Sequence, residues 1–131
     1  MNTAEPRAVL DASALIALLW EEPGAETVEP LLTCAAISSV NWAEVLQRYR
    51  AIEVATTGKR ESIEGLGMRI EAFTSEDADI VAALWAPTRQ IGLSLADRAC
   101  LALAMRLEAP AYTADRAWNG VRVGASVVLI R

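Results

Sequence analysis

Histidine is absent from this chain of 131 residues. That excludes imidazole general bases, His-containing triads and the usual His-rich zinc sites. Lysine occurs once, at Lys59, against eleven arginines, and the net charge is −5. A negative field, taken alone, speaks against a nucleic-acid binder, because phosphate contacts want positive charge. Two points soften it. Arg is the better residue for bidentate phosphate recognition, and carboxylates that hold a cation present a neutralised face once the ion is bound. Cysteine is limited to Cys34 and Cys100, both in apolar settings. They read as buried free thiols rather than as a disulfide or metal ligands. No apolar run reaches the ~18–20 residues of a membrane span, since the one ending at Trp20 stops at Glu21-Glu22. The N-terminus has no basic region leading into an apolar core, so no signal peptide is expected and the cytoplasm is the expected location.

The residues present are those of a folded chain: 53% are hydrophobic and 22% charged. This length suits one domain over residues 1–131 and is short for two. Ala8-Val9-Leu10 reads as a buried strand, followed by a helical pattern from Ala12 to Trp20 and, past Pro23-Gly24, another from Ala25 to Leu32. Cys34–Ser38 is a second apolar run. A helix is expected over Asn41–Ala55, with Trp42, Val45, Leu46, Tyr49 and Ile52 on one face and Arg48 and Arg50 off it. A short helix over Glu61–Leu66, a strand over Arg69–Phe73 and a helix over Thr74–Trp85 follow. Pro87 and Gly92 bracket a connection to a strongly apolar helix, Leu95–Leu107. Ala111–Thr113 is a short strand, and Val121–Ile130 supplies one or two more. Strand and helix alternate throughout, with short apolar strands of the kind buried on both faces, apart from the half-exposed alternation of Arg69–Phe73. The expected fold is therefore α/β: a three-layer α/β/α sandwich on a mainly parallel sheet.

Four carboxylates recur where a strand stops and a helix starts: Asp11, Glu44, Asp97 and Asp115. Each has a local explanation. Asp is a favoured N-cap, Asn41-x-x-Glu44 and Ser94-x-x-Asp97 fit capping-box spacing or its Asp variant, and any acid there gains from the helix dipole. Topology supplies the other explanation. Parallel strands carry their carboxyl ends to one edge of the sheet, where four acids would repel each other without a cation. Hard oxygen ligands suit Mg²⁺ or Mn²⁺, and such an ion lowers the pKa of water and stabilises charge on a phosphate oxygen. That chemistry needs no His. Glu76, Asp77 and Asp79 stand at a similar join, with Thr74-x-x-Asp77 in capping-box register. Spacing does not separate them from the other four, and they are taken as a solvated helix start.

"VLDASALIALLWEEPG", "SSVNWAEVLQR", "LSLADRACLALA", "YTADRAW" and the closing "VVLIR" resemble, nearly end to end, the PIN-domain ribonucleases and specifically the VapC toxins of type II toxin–antitoxin systems. The family's acidic positions fall on Asp11, Glu44, Asp97 and Asp115. The resemblance implies an endoribonuclease dependent on Mg²⁺ or Mn²⁺, in which water activated by the ion attacks a scissile RNA phosphate. It also implies a homodimer held in check by a cognate, VapB-like antitoxin. On this reading Asp11 and Asp97 are the main metal ligands, and Glu44 and Asp115 hold the ion, its waters or a second ion. Ser13 and Thr113 fall where the family often has a hydroxyl ordering the acids, and Asn41 sits beside the second acid. Arg98, Arg116 and Trp118 are candidate RNA contacts. Against them stand a solvated or capping role for the arginines and a core position for the tryptophan. The helices beginning at Ala12 and Ala25 are expected to present a groove to the antitoxin. The competing reading is a non-catalytic PIN-like module whose acidic cleft docks a partner's Arg or Lys. A phospho-accepting receiver domain is discounted, because Lys59 lies in a connection after Gly58 rather than at a strand end.

Overall fold

Five strands form one sheet in the computed structural model, which describes residues 5–131. They are β1 (Ala8–Leu10), β2 (Ala35–Ser38), β3 (Arg69–Glu71), β4 (Ala111–Thr113) and β5 (Val127–Leu129), in the order β3-β2-β1-β4-β5. Every neighbouring pair is parallel. The helices are α1 (Ala12–Leu19), α2 (Ala25–Val28), α3 (Ser39–Ala51), α4 (Lys59–Gly65), α5 (Ser75–Ala83), α6 (Trp85–Thr88) and α7 (Leu95–Leu107).

The pleat divides the strand residues between two cores. Ala8, Leu10 and Ile37 pack with Leu15 of α1 and Val45 of α3, while Val9, Ala36 and Ala111 pack with Leu101 and Leu103 of α7. Central strands covered on both faces are mostly apolar, as these are, with the small hydroxyl residues Ser38 and Thr113 only at the carboxyl ends of β2 and β4. The thiol of Cys100 is buried in the second core, and Cys34 is half-buried; both are free.

The chain runs outward from β1 through β2 to β3, then returns through α5, α6 and α7 to β4 on the other side of β1. This reversal opens a crevice outside the carboxyl ends of β1 and β4, the place where parallel α/β sheets bind ligands. Asp11 follows β1 directly, and its N–H donates to the Tyr112 carbonyl of β4 at 3.1 Å.

Several element boundaries differ from the sequence pattern, for identifiable reasons. The Ala25–Leu32 helix stops at Val28, and Glu29–Cys34 winds as a 3₁₀ helix because Pro30 has no N–H to donate back along an α-helix. The Thr74–Trp85 helix breaks after Ala83, whose carbonyl would have needed the N–H that Pro87 lacks. Helix α3 starts two residues before Asn41. Ser38 is its N-cap, accepting from the Val40 N–H at 3.2 Å, so Asn41 lies inside the first turn and Glu44 beyond it. The Arg69–Phe73 run is a strand only as far as Glu71, and Val121–Ile130 supplies the single strand β5. Gly24, at φ +100°, lies so close to Ile130 that a Cβ would stand 2.8 Å from its backbone oxygen. The turn between α1 and α2 is thereby brought against the end of β5. No helix among the described residues is long and apolar enough to cross a membrane.

Candidate active site

Asp11, Glu44, Asp97 and Asp115 line one cleft of about 410 Å³ at the crevice between β1 and β4. Four separate segments bring them there. Asp11 caps α1, with its Oδ1 accepting from the Ala14 N–H at 2.8 Å. Asp97 closes a capping box with Ser94: its Oδ2 accepts from the Ser94 N–H at 2.9 Å, and its own N–H donates to Ser94 Oγ at 3.0 Å. Asp115 caps the 3₁₀ turn Arg116–Gly120, accepting on Oδ1 from the Ala117 N–H at 3.0 Å. Glu44 Oε1 accepts from Asn41 Nδ2 at 3.1 Å. Among the described residues, Glu44, Asp97 and Asp115 each anchor one carboxylate oxygen and leave the other without a protein partner. Capping and ligand binding are compatible here, since they use different oxygens.

The four acids share a cleft without forming a tight cage. Among the described residues, no three His, Cys, Asp or Glu side chains are grouped closely enough to hold an ion as they stand. The anchoring bonds tie Asp11, Asp97 and Asp115 to the starts of their own helices or turn, and tie Glu44 to Asn41 in the first turn of α3.

Asp11 is the buried member, 5% exposed, and it is held by hydroxyls on both sides. Ser13 Oγ donates to Oδ1 at 2.7 Å and Thr113 Oγ1 donates to Oδ2 at 2.5 Å. Ser13 Oγ also accepts from the Ala114 N–H at 2.9 Å, and Thr113 Oγ1 accepts from the Asp115 N–H at 3.0 Å. The two hydroxyls thus tie Asp11 to the segment that carries Asp115. Burial pushes Asp11 up to about 6 against the pull of these bonds, and the charge of Asp97 adds to the rise. Beneath the acids, burial together with Asp11, Asp97 and Glu44 holds the Cys100 thiol well above its usual range, so it stays protonated and inert.

Asn41 joins two of the acids' supports. Its Nδ2 donates to Glu44 and, at 3.0 Å, to the Ala96 carbonyl next to Asp97, while its Oδ1 is buried without a partner.

The candidate RNA contacts are placed differently. Trp118 is fully buried in the second core and presents no ring face to a base. A large apolar ring beside an exposed turn lowers its free energy most by filling that core. Arg98 is turned away from the cleft, its Nη1 donating to the Val81 carbonyl of α5 at 2.8 Å. Arg116 is exposed on the turn after Asp115 and is not among the residues lining the cleft.

Asp77 is not solvated. It is buried, caps α5 through a box with Thr74, and receives Arg106 of α7 at 2.7 and 3.1 Å. Burial would raise its pKa, but the Arg106 bonds and the Thr74 N–H outweigh that and hold it below the usual carboxylate range. Glu76 and Asp79 are exposed.

Three charged residues in the cleft escape sequence reasoning: Glu22, Arg48 and Arg131. Arg48 lies four residues after Glu44 on α3, which puts both on one helix face; that spacing is the only sequence signal for it. Arg131 has none.

Against known proteins, the PIN domain matches residues 8–123. This chain belongs to the PIN domain family. No match is found among curated proteins. Among solved structures it resembles a chain of a toxin–antitoxin complex from Klebsiella pneumoniae, at 23% identity and a TM-score of 0.72, covering 95% of this chain and 98% of that one. It also resembles FitAcB from Neisseria gonorrhoeae, at 20% identity and a TM-score of 0.70, over 94% and 97% of the two chains. VapBC2 from Rickettsia felis bound to a DNA fragment from its promoter matches at 17% identity and 0.65, over 93% and 97%. At these identities the likeness establishes the fold. Of these neighbours, the Klebsiella pneumoniae chain comes from a toxin–antitoxin complex.

Proposed function

We propose that this protein is an endoribonuclease dependent on Mg²⁺ or Mn²⁺ and acts as the toxin of a type II toxin–antitoxin pair. The observation that carries the reading is the convergence of Asp11, Glu44, Asp97 and Asp115, from four segments, on one cleft at the crevice beside β1 and β4. Their donor set is all oxygen, and three of the four acids have an oxygen to spare. This fits a hard divalent cation that keeps several waters, rather than one enclosed in a protein cage. Asp11 and Asp97 would hold it, with Glu44 and Asp115 completing the set. When bound, the ion supplies Lewis acidity, which lowers the pKa of water and offsets charge on a phosphate oxygen.

The chain's own residues prepare the site. Ser13 and Thr113 aim Asp11 into the cleft, and Asn41 steadies Glu44 against the start of α7. The titration of Asp11 near pH 6 makes its anionic form available at neutral pH and withdraws it in acid. Association with an antitoxin is supported by the toxin–antitoxin complex and the VapBC-family toxin–antitoxin system in which similar chains are found.

Purified protein, freed of any partner, is expected to cleave RNA with Mg²⁺ or Mn²⁺ and not with EDTA, and Asp11→Asn to abolish cleavage while the protein stays folded. Equal cleavage by wild type and variant would overturn the assignment. Co-expression with the adjacent upstream reading frame tests the toxin role: a complex and rescued growth support it, and the absence of both overturns it. A second reading, a non-catalytic module docking a partner's Arg or Lys, draws on the absence of a preformed ion cage among the described residues. Under that reading no RNA is cut with either ion.

A further inference from the structure

The cleft contains two cations among its acids, Arg48 and Arg131, and both converge on Glu22. Arg48 Nη2 stands 3.8 Å from Glu22 Oε2, and Arg131 Nη1 stands 3.5 Å from Oε1. One carboxylate thus bridges two guanidinium groups, each contact well beyond the roughly 2.7–2.9 Å of a strong charge-assisted bond. At 44% and 37% exposure the arginines remain open to solvent, so these ion pairs contribute little to stability.

Each guanidinium is nonetheless held in place by a second contact. Arg48 lies over the Trp20 ring at 5.1 Å, and Trp20 packs against Tyr49 with ring centroids 4.7 Å apart. Arg131 Nη1 donates to the Pro23 carbonyl at 2.9 Å, in the turn that Gly24 presses against the end of β5. A guanidinium carries five donors, so both keep N–H groups for a further acceptor. Arg48 is also one helical turn beyond Glu44, on the same face of α3. A polyanion laid across the four acids on this side meets the arginine pair next.

We infer that Arg48 and Arg131 form a clamp for a backbone phosphate of the RNA, adjacent to the phosphate at the acids, and that Glu22 occupies the clamp in the free protein. This rests on the ribonuclease reading above. A phosphate accepts bidentate bonds from Arg as a carboxylate does, and displacing Glu22 breaks only two long, exposed ion pairs. The clamp gives an acidic protein a local cationic foothold on RNA, and it fixes which side of the acid cluster the strand leaves by: the side of the α1–α2 turn. In this arrangement Arg48 and Arg131 are positioning residues, binding the neighbouring phosphate rather than the reacting one.

The test is steady-state cleavage of a short fluorogenic RNA with Mg²⁺. Arg48→Gln and Arg131→Gln are each expected to raise KM about fivefold or more with kcat nearly unchanged, the signature of lost substrate binding. Each should also reduce the salt slope of log kcat/KM by about one. Glu22→Gln should lower KM, because the competing carboxylate is gone. Arg50→Gln, exposed on the same helix and outside the cleft, is the charge control and should leave KM alone. Arginine variants within about twofold of the wild-type KM, or a Glu22→Gln variant with raised KM, would overturn the clamp. Binding of fluorescein-labelled single-stranded RNA, followed by anisotropy on the same variants, separates the two readings. A wild type that cuts, with arginine variants unmoved, overturns the clamp alone. A wild type that binds but does not cut overturns the nuclease, and the variants' binding constants then decide the clamp by the same ratios. A wild type that neither binds nor cuts overturns both.

Discussion

Asp11 carries a cost that its position makes necessary. Its carboxyl is buried, and its pKa near 6 lies above the ordinary carboxylate value of 3.8. The folded protein therefore holds a proton that the unfolded chain has already lost, and stability falls as pH rises from about 4 to about 6, by roughly 3 kcal/mol. Above that window the whole penalty is present, and below it none. Asp11→Asn is expected to melt at a higher temperature than wild type in EDTA at pH 8, with the gain gone below pH 4. Asn keeps the local bonds: its Oδ1 still accepts from Ser13 and Ala14, and its Nδ2 donates to Thr113 Oγ1, whose proton turns towards Ser13 3.3 Å away. Equal melting temperatures at pH 8 would contradict the account. Trp118 makes the opposite case, a residue whose role is packing. Trp118→Ala should lose about 3–5 kcal/mol in urea denaturation, while Trp118→Phe, which keeps one buried aromatic ring and gives up the smaller indole ring with an N–H that has no partner, costs less and leaves the KM for RNA unchanged. A changed KM in the Phe variant would restore a base-stacking role.

Helices α5 and α7 begin with the same sequence device, a hydroxyl followed three residues later by Asp, and the structure gives the two aspartates different roles. Asp97 faces the cleft; Asp77 faces Arg106, twenty-nine residues on, and pins α5 to α7. Capping was legible because it is local, contained in four residues. The partner of the remaining oxygen was not, because it comes from another element. The same limit applies to Arg48, visible as a charge off the apolar face but not as a neighbour of Arg131. The break at Ala83 and the 3₁₀ turn after Val28 were written in Pro87 and Pro30, whose missing N–H groups act four residues upstream. Asp77→Ala should cost about 1–3 kcal/mol, the scale of lost bonds to a charged group, whereas Asp79→Ala should be near neutral. Because Asp77's folded pKa is depressed, its contribution is present above about pH 4 and lost as pH falls through the folded value. Melts at pH 7 and pH 3 check both statements, and an equal loss at the two pH values would refute the second.

At the scale of the whole molecule, alternating apolar strands and amphipathic helices are legible in the sequence as an α/β sandwich on a mainly parallel sheet, and the sheet is parallel at every pair. Strand order is a different matter, since three-residue strands such as β1 and β4 carry no address for their neighbours. The two cores show only which face each residue takes, with Leu10 and Ile37 on one and Val9 and Ala111 on the other. The gathering of the acids follows from that order. With β4 beside β1, Asp115 reaches Asp11's edge of the sheet, and the negative charge of the sequence is concentrated where a cation would be most welcome.

The hydroxyl stitch between Asp11, Ser13 and Thr113 joins positions about a hundred residues apart along the chain. During synthesis, β1 and its aspartate leave the ribosome first, with no partner for the carboxylate's second oxygen. The crevice has only one wall until β4 has emerged and paired. A chain still being made therefore carries an incomplete cleft for most of its elongation, and the four acids meet only once β4 and the turn after it have been added.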